Sequence, residues 1–310
     1  MLIRIEATSV NPVDGLVASG FFAQAQEYRY PAVFGRDLCG VVEEAGKGVT
    51  RLQVGDRVWG FIKREYVGNG TFAEYVTCSA DQFVIQKPAG ISVLGAGSMG
   101  LAGVTALECI DVLELERGDT VFINRATGGI GSFAVQIAAA RGLRVVATAR
   151  PGPAADQMIA LGADATVDWT TGDLAAAVRA VAPDGVSGIV DLVRRHGATG
   201  IGEGKAESQA SMRALADRLL RPGGRFSSTT NDADDDLVAR GIGYNVHSTP
   251  SLSNLGHLNE LISTGHLNAC VARAFPFSQI ADAFAHQQAH GCGKVAIAVV
   301  EHLLEDSAAM

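Results

Sequence analysis

The stretch "TVFINRATGGIGSFAVQIAAARGLRVVATA", residues 120–149, decides what kind of fold this chain adopts. Strand formers run from Thr120 to Asn124, a glycine turn follows, a helix is expected over Ser132 to Arg141, and a second apolar strand over Arg144 to Thr148. Gly142 stands where a helix end needs left-handed backbone. Parallel strands joined by a crossover helix give this rhythm, and the helix N-terminus after the turn is a ready anion site. A second stretch, "GAGSMG" at 95–100, matches the dinucleotide pattern G-x-G-x-x-G letter for letter, whereas 126–131 carries alanine at the first position. Only "ISVL" precedes Gly95, directly after Lys87-Pro88-Ala89-Gly90, so those letters lack the strand that would deliver them. The second motif is therefore expected to hold the dinucleotide, through Thr127, Gly128, Gly129, Ile130 and Gly131. The first is expected to be a glycine-rich loop leading into a helix. Ala126 costs little if it keeps negative φ, while Gly128 and Gly131 take the positions of phosphate approach and helix-to-strand packing.

Working outward, strand and helix go on alternating: a helix over Ala154 to Leu161, strands at Ala165 to Asp168 and Ile189 to Leu192, and a helix near Ala210 to Leu220. "GGRFSSTT" and a strand-like "NVHSTP" follow, with helices at about Asn254 to Ser263 and Gln279 to Gln288 and a closing strand "KVAIAVV". The first ninety residues differ. Short strands at Leu2 to Ala7, Gly40 to Glu44, Asp56 to Phe61 and Thr71 to Thr77, separated by glycine turns, suggest a β-rich, barrel-like part. A chain of 310 residues has room for two cores. The expected division is 1–94, 95–247 and 248–310, with the last segment returning to the first.

Net charge of −8 argues against a phosphate-backbone partner, which leaves small molecules as ligands. The five cysteines show no C-x-x-C pair and read as small buried hydrophobes rather than a disulfide framework. No apolar run is long enough to span a membrane and "MLIRIEATSV" is no signal peptide, so cytoplasmic residence is expected. His286 and His290 have ligand spacing on one helix but lack an acidic third ligand nearby, and the other histidines are scattered, so no metal is expected there. "NDADDDL" reads as a solvated acidic run.

Eight segments in order carry a family likeness: "EATSVNPVDG", "YPAVFGRDLCGVVEEAGKGVTRLQVGDRVWGF", "GTFAEYV", "LAGVTAL", "RGDTVFINRATGGIGSFAVQIAAARG", "LGADATVDW", "LRPGGRF" and "GKVAIAVV". Over nearly its whole length the chain resembles the medium-chain dehydrogenase/reductase superfamily, and within it the zinc-independent NADPH:quinone oxidoreductase branch. The resemblance implies an α/β fold: a Rossmann doubly wound parallel sheet plus a GroES-like β-rich catalytic domain, with the active site in the cleft between them. Three departures stand out. The catalytic domain is expected to be amino-terminally short by some twenty-five residues. "IVDLVRRHGATGIGEGKAESQ" places a polar, glycine-bearing loop after the fourth Rossmann strand, and Arg125 occupies a position that is normally small. Arg125 either clamps a phosphate or points to solvent.

Zinc-dependent relatives bind the metal through a cysteine in the segment matching Ser9 to Asn11 and a histidine in that matching "GRD". Here these places hold Ser9-Val10-Asn11 and Gly35-Arg36-Asp37, and a guanidinium has no lone pair to offer a metal. A zinc-free site is therefore expected. NAD sites place an acid at the end of the second strand, where this chain has Ala149 followed by Arg150. NADPH is the expected cofactor, with Arg150 pairing the 2′-phosphate unless it is a solvated loop charge, although the lysine of many relatives falls at Ala154. For catalysis the candidates are Asn11, as a hydrogen-bond donor to developing negative charge or else a turn residue before Pro12, and Thr105, beside the nicotinamide ring or else a helix-start hydroxyl. Asp191, expected at a strand end, either approaches the cofactor or caps a helix, and Tyr30 and Tyr66 are further proton-donor or wall candidates. The expected acceptor is a quinone or enone; an enoyl or carbonyl reductase, or a non-catalytic NADPH-binding protein, are the alternatives. A homodimer through "NVHSTP" is expected, with neither nucleic acid nor membrane as a partner.

Overall fold

A computed structural model describes residues 1–193, 205–229, 235–289 and 292–307. Most of the polar loop after Asp191, with His196, lies outside the described residues, as do His290 and the first part of the acidic run. The chain forms two compact units, Met1–Val104 with Thr249–Met310, and Thr105–Ser248. The first junction falls ten residues beyond the boundary read at residue 94. The cause is local, because Gly97 lies against β1: a Cβ there would come within 2.8 Å of the Ala7 backbone.

In the first unit the chain runs β1 (Leu2–Val10), α1 (Pro12–Ala18), β2 (Glu27–Val33), β3 (Asp37–Glu44), β4 (Arg57–Phe61), β5 (Tyr66–Asn69), β6 (Tyr75–Thr77), β7 (Val84–Gln86) and α2 (Val93–Ala96), and α3 (Gly100–Asp111) begins in it and runs on into the second. The second unit contains β8 (Thr120–Asn124), α4 (Gly129–Ala140), β9 (Arg144–Thr148), α5 (Pro153–Ala160), β10 (Ala165–Val167) and α6 (Leu174–Val181). It continues with β11 (Val186–Asp191), α7 (Lys205–Leu219), β12 (Leu220–Ser228), α8 (Asp235–Ala239) and β13 (Gly243–Asn245). The chain then returns to the first unit with α9 (Leu252–Ser263), β14 (Val271–Pro276), α10 (Ile280–Gln288), β15 (Lys294–Ala298) and α11 (Leu303–Ser307).

The second unit is built on a parallel sheet in the order β10-β9-β8-β11-β12-β13. Strand order reverses between β8 and β11, the position at which open α/β sheets bind ligands beyond their carboxyl ends. Helices cover such a sheet on both faces, so its strands must be apolar throughout. Val121, Phe122 and Ile123 of β8 and Val145, Val146 and Ala147 of β9 are all fully buried, which is why continuous apolar runs predicted both strands. Val178, Met212 and Leu219 close the core over Phe122, Ile189 and Phe226. At the sheet edge β13 holds only Asn245 of the "NVHSTP" stretch. Val246 donates one more hydrogen bond to the Ser228 carbonyl, and the chain then leaves for Ser251, whose hydroxyl caps α9.

In the first unit the sheet order is β14-β15-β1-β3-β4-β7, with β6 also paired to β1, and β2 and β5 form a separate two-stranded sheet. Central β1 is covered on both faces. Ile3 and Ile5 pack with Leu38, Val42, Val58 and Val84, while Ala7 packs with Leu94, Ala296 and Ala298. This arrangement brings the end of β1, the start of β3 and the start of β15 side by side, and those ends carry the polar residues described next.

Candidate functional site

In the second unit, Gly128 at φ −75° precedes α4 as a cap residue that offers no side-chain acceptor. The Ser132 amide is satisfied by the Gly128 carbonyl, but among the described residues nothing accepts from the amides of Gly129, Ile130 and Gly131. A helix N-terminus with three open N–H groups concentrates positive potential at one point. The two flanking glycines have different reasons to be glycine. A Cβ at Gly131 would lie 2.4 Å from the Arg125 carbonyl oxygen, so the helix could not sit on its turn. A Cβ at Gly128 would meet nothing closer than 3.5 Å, so neither its backbone nor its neighbours exclude a side chain. Space left open in front of unsatisfied amides fits an approaching phosphate.

The turn before α4 is pinned from the neighbouring strand. Thr148 Oγ1 accepts from the Arg125 amide at 2.7 Å and from the Ala126 amide at 3.3 Å. Ala126 keeps negative φ, and the left-handed residue of the turn is Arg125, at φ 65°. Its side chain runs back over Gly128, with Cγ and Nε each 3.9 Å from where a Gly128 Cβ would stand. Thr127 is half-buried beside it. Two residues beyond Thr148, exposed Arg150 lies over the Trp169 ring with Cζ 5.2 Å from its centroid. Hydrogen bonds from Thr170, with a smaller contribution from Arg150, hold the neighbouring Asp168 below the usual carboxylate range. Asp191 is fully buried and accepts from Asn124 Nδ2 at 3.0 Å and from the Val193 amide at 3.3 Å, a bond that ties the ends of β8 and β11 at the reversal point. Thr105 is 5 % exposed and shares a short hydrogen bond with Ser248 Oγ.

The glycine stretch at 95–100 has a different character: every residue from Gly95 to Gly100 is buried. A Cβ at Gly100 would lie 2.3 Å from the Gly60 carbonyl oxygen. Its helix ends are also supplied from within the protein, since Ser92 Oγ accepts from the Gly95 amide and Asp37 Oδ1 accepts from the Leu101 amide at 2.6 Å. No space remains there for a pyrophosphate.

Asp37 organises the first unit's polar centre. Its Oδ2 accepts from Ser9 Oγ at 2.5 Å and Asn11 Nδ2 at 2.9 Å, and pairs with Lys294 Nζ at 3.3 Å. Lys294 Nζ also donates to Asn11 Oδ1 at 2.5 Å. All four residues are at most 4 % exposed, and such a buried charge persists only because lysine and hydroxyl partners surround it. Asn11 is thus engaged at both ends of its carboxamide. Its backbone amide donates to Asp14 Oδ2 at 2.8 Å, so an acid three residues into α1 reaches back to the residue before the helix. Burial pushes the Asp14 carboxyl up to about 7, against the Asn11 amide and Arg36. Asp14, Asp37 and Lys294 were not read as site residues. The Asn11-Pro12-Val13-Asp14 spacing was a usable signal for the first, whereas nothing local marks Lys294.

The donors standing where zinc ligands would be are an engaged amide and a guanidinium, a set that does not fit zinc. Among the described residues no three His, Cys, Asp or Glu side chains gather as a metal site. His286 packs on the Phe275 ring. Burial raises the Cys39 thiol to about 12 and Cys78 to about 11, and raises Cys109 further still; Cys270 and Cys292, expected to be buried, are half-exposed. No helix among the described residues is long and apolar enough to cross a membrane.

Comparison with known proteins agrees with this geometry. Residues 1–89 match the alcohol dehydrogenase GroES-like domain, and residues 161–297 match the zinc-binding dehydrogenase family. The mitochondrial NAD(P)H oxidoreductase RTN4IP1 of Bos taurus is 28% identical across 97% of this chain and 82% of its own length. The chloroplastic NADPH-dependent alkenal/one oxidoreductase of Arabidopsis thaliana is 28% identical across 96% of this chain and 71% of its own. Among solved structures, the quinone oxidoreductase of Coxiella burnetii superposes with a TM-score of 0.77 at 26% identity, over 96% of this chain and 90% of that one. The chain belongs to the medium-chain dehydrogenase/reductase superfamily, as an oxidoreductase with quinone and alkenal oxidoreductases among its homologues.

Proposed function

We propose that the protein is an NADPH-dependent oxidoreductase that works without zinc and transfers hydride to a quinone or a related α,β-unsaturated carbonyl. The observation that carries the reading is the start of α4, where the amides of Gly129, Ile130 and Gly131 stand open behind a Gly128 that the protein itself does not require. Those amides would hold the pyrophosphate, with Thr127 at the rim. Ala149 in place of a strand-end acid, with Arg150 next to it, favours the phosphorylated nucleotide. A reduced nicotinamide held there would supply two electrons as hydride, and hydrogen-bond donors rather than a metal would meet the charge developing on the acceptor oxygen. Asp191 and Asn124 hold the sheet ends beneath the cofactor, and Thr105 keeps its hydroxyl oriented through Ser248. Asn11 acts as a positioning residue inside the Asp37–Lys294 network. A homodimer formed by pairing of the β13 edge and a cytoplasmic location are parts of the same proposal. The printed names of the alkenal and quinone oxidoreductase relatives support the acceptor class.

The test is a nucleotide titration followed by an acceptor screen with and without a chelator. NADPH should bind more tightly than NADH, and turnover should be indifferent to EDTA. Arg150→Glu should shift the nucleotide preference from NADPH toward NADH in the titration. Absent nucleotide binding, or activity lost to EDTA and restored by zinc, overturns the reading.

A further inference from the structure

Arg125 is the only charged residue between Asp119 and Arg141, and α4 itself carries none. Among the described residues, Glu114 and Arg125 are the only non-glycine residues at positive φ, and Arg125 lies deeper in the left-handed region, at 65° against 47°. A glycine would take that conformation freely, whereas a side chain there crowds the following carbonyl oxygen. The fold nonetheless holds the arginine in place. Thr148, 1 % exposed, accepts at Oγ1 from the amides of Arg125 and Ala126, and the Arg125 carbonyl in turn accepts from the Gly128 amide at 3.3 Å. The consequence is visible at Gly128. The three atoms nearest to where its Cβ would stand all belong to Arg125: the carbonyl oxygen at 3.5 Å, and Cγ and Nε at 3.9 Å. Nε therefore borders the same open space that lies before the amides of Gly129, Ile130 and Gly131. Arg150, two residues past Thr148, rests on the Trp169 ring instead.

We propose that Arg125 is the cation of this cradle: it pairs with the pyrophosphate of the dinucleotide, and Thr148 is the residue that positions it. The inference rests on the nucleotide reading above and adds one binding residue and one positioning residue to it. The amides alone supply direction and a partial charge, since a helix N-terminus is equivalent to about half an elementary charge. A guanidinium beside them supplies a full charge and two parallel donors, Nε–H and one Nη–H, for a pair of phosphate oxygens. Non-glycine residues in left-handed backbone cluster where strain serves a ligand, and here the strained residue is also the charged one. The assignment divides the work with Arg150. Pyrophosphate is common to NADH and NADPH, so Arg125 adds affinity for both, and discrimination between them is left to the end of β9.

The test uses the full-length protein and needs no turnover. In calorimetric titrations Arg125→Gln should weaken ADP-ribose, NADPH and NADH by a common factor of about tenfold, and should leave 2′-AMP, which has no pyrophosphate, unchanged. Unchanged ADP-ribose binding overturns the inference, as does a loss confined to NADPH and 2′-AMP, which would move Arg125 to the 2′-phosphate. Arg125→Gly removes the strain together with the charge, so it should bind as weakly as Arg125→Gln and melt no lower than the wild type. A lower melting temperature would show that the arginine is kept for the fold and would overturn the argument from strain. Thr148→Val should weaken ADP-ribose in the wild-type background and add nothing to the loss in Arg125→Gln, while Thr148→Ser, which keeps the hydroxyl, should bind normally. Additive losses would overturn the positioning role of Thr148. Absent dinucleotide binding by the wild type would instead strike at the nucleotide reading, and inorganic pyrophosphate reports on Arg125 even then. It should raise the melting temperature of the wild type and not that of Arg125→Gln, and equal shifts in the two would overturn the inference.

Discussion

The chain carries two glycine-rich helix starts, and the one that matches the dinucleotide pattern letter for letter is the one the protein has filled. At α2 and α3 the Gly95 and Leu101 amides are met by Ser92 and by Asp37, and Gly100 is glycine because the Gly60 carbonyl leaves no room for anything else. At α4 the amides are left open and Gly128 has room for a methyl group that it does not carry. A glycine pattern reports close approach of something to the backbone. Whether that partner is another strand or a ligand depends on what already stands against the backbone: the Gly60 carbonyl fills the space at Gly100, and nothing fills it at Gly128.

The sharpest way to break this comparison is to remove the protein's own cap. Asp37→Ala would leave the Leu101 amide without its acceptor and Lys294 buried without its counter-charge. Stranding one partner of a buried pair costs about 3–5 kcal/mol. Chemical denaturation should show a loss of this size, and Asp37→Ala with Lys294→Met should recover part of it by removing the orphaned charge. A loss below about 1 kcal/mol would mean that water replaces the carboxylate, contrary to a filled site.

Next in size are the two glycines of the α4 turn, where the same substitution should have opposite consequences. Gly131→Ala forces a methyl group against the Arg125 carbonyl and the Ala126 backbone, and overpacking of this kind costs about 1–3 kcal/mol. It should lower the melting temperature. Gly128→Ala should leave the melting temperature in place and weaken NADPH by about tenfold, since its methyl group stands in the space meant for phosphate. Calorimetric titration beside thermal unfolding reads both; a Gly128→Ala protein that binds NADPH normally would remove the turn from the site.

How much of this was legible before the fold was known depends on sequence distance. The bounds of β8 and β9 match the sequence reading because both strands are buried on two faces and therefore write continuous apolar runs between glycine turns. Strand β2 wrote nothing comparable: it is largely exposed, contains Pro31, and pairs with β5 through an irregular register. The α4 cradle was legible because strand, turn and helix are contiguous. The Asp37 network was not, because its members come from the ends of β1, β3 and β15, and the bond from Lys294 to Asn11 spans 283 residues. Only the pairing of β1 with β15 brings them together. For Asn11 the sequence pointed to the right neighbourhood while leaving its partners invisible. The positive φ of the α4 turn was equally hidden, since it falls on Arg125 rather than on a glycine.

The smallest effect expected concerns the rim of the second motif. Arg150 is exposed and already rests on Trp169, so its pairing with a 2′-phosphate would compete with water and salt. Pairs of this kind contribute about 0–1 kcal/mol. Arg150→Gln should therefore weaken NADPH by about threefold at low ionic strength, with a smaller change at 0.5 M salt, and should leave NADH unaffected. The salt arm separates two explanations that a single titration would confuse. If Arg150 acts through charge, the difference between wild type and variant shrinks as salt rises. If it acts by propping Trp169 against the adenine end of the nucleotide, both NADPH and NADH weaken and salt leaves the difference alone. Equal loss for the two nucleotides would move the phosphorylated-cofactor preference away from this residue, while the open amides of α4 would continue to account for binding of either.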